Sequence, residues 1–71
     1  MSTMMAEGEG YVVAGLTRGG FARLKRLAQG WRQVDVAAIA KVSTELVIDF
    51  EKDRDVPDHV TKRILEALDL D

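Results

Sequence analysis

No cysteine occurs in the 71 residues, so neither a disulfide framework nor a thiolate metal site is available. The single histidine, His59, cannot build a zinc centre by itself. The fold must be held by packing. No stretch is apolar for long enough to span a bilayer, and Met1 to Gly10 carries no Lys or Arg ahead of an apolar run, as a secretory signal would. A cytoplasmic protein without membrane contact is expected. Gly8 and Gly10 lie in a terminal segment rather than between a strand and a helix, so they are no phosphate loop. With one His, no Cys and carboxylates spread over a solvated surface, no catalytic constellation is present. The expectation is a non-enzyme without metal, cofactor or small-molecule substrate.

The length suits one small domain in the range where a single core is marginal, with room for four or five helices. The net charge is −2, but its distribution says more. Residues 16–41 carry six cations (Arg18, Arg23, Lys25, Arg26, Arg32, Lys41) against Asp35 alone, whereas residues 42–71 set four cations against nine acids. The chain is bipolar, basic then acidic.

The organising stretch runs from Gln33 to Glu51. Val36, Ala37 and Ala40, then Val47 and Phe50, recur at helical spacing on either side of Lys41-Val42-Ser43. This reads as helix, tight turn, helix, with Val42 as an apolar wedge and Ser43 as the N-cap of the second segment. Upstream, Thr17 is the expected N-cap of a helix over about 18–29, weakened by Gly19-Gly20, with Phe21, Leu24, Leu27 and Ala28 as its buried stripe. Gly30 ends that helix and Trp31 anchors the next turn. Downstream, residues 52–57 form a loop closed by Pro57. The last helix spans about 59–68, capped by Asp58, with Val60, Ile64, Ala67 and Leu68 inward and His59 in solvent. Residues 1–15 are expected to be a flexible tail, with the alternative that Tyr11 to Val13 lie as an extended arm on the helical body or on a partner.

In order and spacing, Arg26, Gly30-Trp31-Arg32-Gln33, Val36-Ala37, Val42-Ser43, Val47, Phe50-Glu51 and Pro57 resemble the XRE/Cro phage-repressor type of helix-turn-helix domain, over residues 16–71. The resemblance implies a compact all-α domain of four to five helices like that of lambda repressor. It also implies a buried ion pair between Arg26 and Glu51, a structural feature. Carried over residue by residue, it places Gln33, Thr44, Glu45 and Asp49 on bases and Arg32, Lys41, Lys52 and Arg54 on phosphates.

The chain departs from that pattern where such domains touch DNA. Arg32 replaces a capping Ser, which an Arg side chain cannot imitate, so a weak helix start is expected; Lys41 and Asp53 replace turn glycines. Glu45 and Asp49 bring acid to the helix that would enter the major groove, opposing the charge attraction that supplies most DNA affinity. Val34, Ile39, Leu46 and Ile48 add apolar surface. With Asp35, Glu45 and Asp49 as an acidic rim, these residues form a candidate partner-binding face suited to a basic, DNA-binding surface. The function expected first is therefore a transcription-regulating inhibitor that acts by protein contact. It is similar to the helix-turn-helix-derived antiactivators that silence quorum-sensing and conjugation activators on bacterial mobile elements. The alternative is a sequence-specific DNA-binding repressor of the XRE family. A monomer or weak dimer is expected in either case.

Overall fold

Thr17 lies in extended backbone and its hydroxyl accepts the Gly20 amide at 3.0 Å, which starts the first helix, α1, Arg18–Ala28. The computed structural model describes residues 16–70, so the expected tail and its possible docking lie outside the described residues. Three more helices follow: α2, Gln33–Ala40; α3, Thr44–Glu51; and α4, Asp58–Ala67. The described residues are all-α, and no helix among them is long and apolar enough to cross a membrane.

The α2 start corrects one expectation. The Arg32 side chain does not cap, yet its backbone amide donates to the Asp35 carboxylate at 2.7 Å and its guanidinium adds bonds of 3.2 and 3.1 Å. Asp35 thus supplies the returning half of a capping box from the third helical position. The hydrogen bonds from the Arg32 side chain and then its amide hold the Asp35 carboxyl below its ordinary range. The same bond raises the guanidinium. A depressed carboxyl stabilises the fold above its unfolded pKa, and that support fades as pH falls through the folded value.

Gly30, Lys41 and Asp53 each adopt positive φ after a helix. At Lys41 (φ 60°, ψ 46°) the chain leaves α2, Val42 donates to the Ala37 carbonyl at 3.0 Å, and Ser43 caps α3 through the Leu46 amide at 3.2 Å. At Asp53 (φ 60°) the carboxylate crosses to the start of α1, accepting the Thr17 hydroxyl at 2.6 Å and the Gly19 amide at 3.1 Å. The two positions predict opposite responses to glycine. Lys41→Gly relieves a left-handed backbone that costs a non-glycine residue about 1–2 kcal/mol and should raise the thermal midpoint. Asp53→Gly relieves the same strain but removes two charge-assisted bonds worth about 1.5–3 kcal/mol each, so urea unfolding should show a net loss.

Asp58 proves to be the first residue of α4 rather than its cap; Pro57 occupies the flanking position and no side chain caps the helix. Asp58 still places negative charge on the helix's first turn. The core consists of Ala22, Val36, Ala37, Ala40, Val47, Phe50, Val60, Ile64 and Leu68, with Trp31, Val42, Leu46 and Ala67 packed around it. α2 lies against both α3 and α4, while α1 packs mainly on α3.

The orientation of α1 overturns the expected buried stripe. Its core side is Gly19, Ala22 and Arg26, whereas Phe21, Leu24 and Leu27 are 46%, 48% and 48% exposed and Ala28 is exposed as well. The physical reason is close approach. A Cβ on Gly19 would collide with the Phe50 carbonyl oxygen and lie 2.9 Å from that of Glu51. The small residues therefore let α1 approach α3, and the larger ones face outward.

Candidate functional site

One fixed point beneath the candidate surface is Glu51. Its carboxylate accepts Arg26 Nε at 2.7 Å and Nη2 at 3.1 Å, a two-pronged pair, and also Gln33 Nε2 at 3.0 Å. The remaining Arg26 nitrogen donates to the Trp31 carbonyl at 2.9 Å. Both charged residues are buried. One cluster therefore joins α1, the start of α2 and the end of α3, and it sets how α2 and α3 present their outer sides.

The helical period then decides what points outward. On α3, Val47, Phe50 and Glu51 are buried, which leaves Glu45 and Asp49, one turn apart, on the opposite side. Glu45 is exposed; Asp49 is half-buried and accepts Arg54 Nη1 at 3.2 Å. Ile48 is half-buried on one flank, and Leu46 packs partly into the core. On α2, Val36, Ala37 and Ala40 are buried, so Ala38 faces out with Val34 and Ile39 on its two edges, 47% and 49% exposed.

Among the residues assigned to a partner, Val34, Ile39 and Glu45 therefore present free surface. Asp35 and Asp49 are engaged by Arg32 and Arg54. The rim around Ile39 is mixed rather than acidic. Ile39 opens on a shallow groove with Lys41, Arg63, Glu66 and Ala67, where Arg63 Nη1 donates to the Lys41 carbonyl at 3.3 Å.

Among the residues assigned to DNA, Gln33 is committed to Glu51, Arg32 to Asp35 and Arg54 to Asp49. Lys41 and Lys52 are exposed and in none of the ion pairs among the described residues; Thr44 is half-buried. Exposed pairs such as those of Arg32 and Arg54 are worth about 0–1 kcal/mol, so a strong ligand could open them, but in each the carboxylate offsets its cation's charge. No group of residues able to hold a metal ion occurs among the described residues.

The pairing of Gln33 and the facing of α1 are among the features that escape sequence reasoning. Gln33 carried a signal only at the level of the fold, since its partner, Glu51, lies 18 residues away. The outward stripe of α1 was legible as amphipathic but was assigned to the wrong side. In comparisons with family models, curated proteins and solved structures, the chain matches none.

Proposed function

We propose that the chain is a small helix-turn-helix protein of the XRE/Cro type that regulates transcription by protein contact. It inhibits a basic, DNA-binding activator through the outer faces of α2 and α3. The observation that carries this reading is the pair Val34 and Ile39, each nearly half exposed on the helix that a DNA reader would turn toward phosphates. Glu45, free, and Asp49, paired with Arg54, lie on the outer side of α3, the helix that follows. Exposed apolar side chains on α2 suit a protein face better than a phosphate backbone, and acid on the outer side of α3 repels a polyanion. The intramolecular pairing of Gln33, Arg32 and Arg54 supports the same reading, since three of the residues needed for DNA have partners within the fold.

The alternative, a sequence-specific repressor, draws support from the Ser43-capped start of α3 and from the exposed Lys41 and Lys52 on either side of it. Capture separates the two. The immobilised full chain, presented with purified basic activators, should retain one of them. Val34→Ser with Ile39→Ser should weaken that capture about tenfold or more, since fully burying one such side chain is worth about 1.5–3 kcal/mol. The thermal midpoint should stay put, because neither residue belongs to the core. Capture untouched by the double substitution would remove α2 from the interface.

A further inference from the structure

The outward side of α1 has no role in the reading above, and it carries three of the five large apolar side chains that are exposed among the described residues. Phe21, Leu24 and Leu27 follow one another at three-residue spacing, directly opposite Gly19, Ala22 and Arg26, which face the core. Beyond Phe21 the apolar surface continues into an open groove of about 320 Å³ lined by Leu16, Thr17, Arg18, Phe21, Leu65 and Leu70. A small monomer seldom leaves a continuous apolar strip of this kind unoccupied unless something binds there.

Charge narrows the occupant. α1 contains no acid, and Arg23 and Lys25 flank the stripe on its two sides, outside every ion pair among the described residues. A second copy of α1 would bring cation against cation. We propose that this face docks an amphipathic helix of another protein, one whose leucine-like stripe is bordered by Asp or Glu and whose largest apolar side chain enters the Leu16–Leu65–Leu70 groove. Helix-in-groove recognition takes its affinity from such anchors at i, i+3, i+4 and i+7, and the flanking charges set orientation and partner choice. The surface lies on a different helix from Val34 and Ile39, so the inference stands whether or not the α2–α3 face binds an activator.

The probe is a fluorescein-labelled synthetic helical peptide with leucines at i, i+3, i+4 and i+7 and glutamates on the flanks, titrated with the full chain. Its counterpart carries lysines in place of the glutamates. The glutamate peptide should bind, and the lysine peptide should bind about tenfold more weakly or worse, a gap that narrows as salt screens the flanks. Leu24→Ser with Leu27→Ser should lower affinity for the glutamate peptide about tenfold or more while the thermal midpoint holds. Equal binding of the two peptides, no binding of either, or binding indifferent to the leucine changes would overturn the proposal. So would a dimer in sedimentation that the leucine changes dissolve, which would give the face to a second copy. A rise of about tenfold in peptide affinity on Val12→Ser with Val13→Ser would give it to the chain's own N-terminal segment. Preference for phosphatidylserine vesicles over the peptide would give it to a lipid surface.

Discussion

Arg26→Met should lower the unfolding free energy by about 3–5 kcal/mol, the loss seen when one partner of a buried ion pair is removed. The substitution leaves the Glu51 carboxylate in a buried site with only the Gln33 amide to answer it, and it also strips the Trp31 carbonyl of its donor. A chain of this size holds about 3–5 kcal/mol in its core altogether, so the variant should be largely unfolded in urea titrations that leave the parent intact. Adding Glu51→Leu to Arg26→Met should restore much of the loss, because the stranded charge goes with it. A loss below about 1 kcal/mol, the worth of an exposed pair, would mean that water reaches Glu51 and that the cluster does not fix the first three helices.

Gly19→Ala is the second large effect. The new methyl group would fall on the Phe50 carbonyl oxygen and close to that of Glu51, two backbone atoms that cannot swing aside. α1 would have to lift from α3, and with it would go the bonds from Gly19 and Thr17 to Asp53. The expected cost is about 3 kcal/mol, the upper part of the range for overpacked sites. Gly20→Ala is the control. Its Cβ would meet only the Thr17 hydroxyl oxygen at 3.3 Å and a Leu16 methyl at 3.7 Å. There the gain in helix propensity of up to about 1 kcal/mol should leave the thermal midpoint level or higher. Similar responses at the two glycines would contradict the close helix approach.

The same contacts explain which parts of the fold were legible in the sequence. Caps and turns are local, so Thr17, Ser43 and the strained Lys41 could be read from their immediate neighbours. The inner faces of α2, α3 and α4 followed from apolar spacing. The α1 face did not, because amphipathicity locates an apolar stripe without saying what covers it. Arg26 held the needed information. Once it pairs with Glu51 inside the fold, Gly19 and Ala22 share its side and Phe21, Leu24 and Leu27 cannot. Asp53 was similarly opaque. Read as a poor substitute for glycine, it proves to hold down the start of α1 from 34 residues away. At the candidate surface the sequence placed Val34, Ile39 and Glu45 outward, but it could not show that Arg32 and Arg54 turn toward neighbouring acids, since that depends on side-chain reach across the folded surface.

The central proposal is that the outer faces of α2 and α3 meet a protein rather than DNA. Fluorescence anisotropy of random and enriched duplex DNA pools, titrated with the full chain at roughly 50 mM salt, tests it most directly, because non-specific phosphate binding is strongest there. The account predicts no binding up to about 100 μM, beyond most non-specific dissociation constants. Binding that weakens steeply as salt rises would contradict it and favour the DNA-binding repressor.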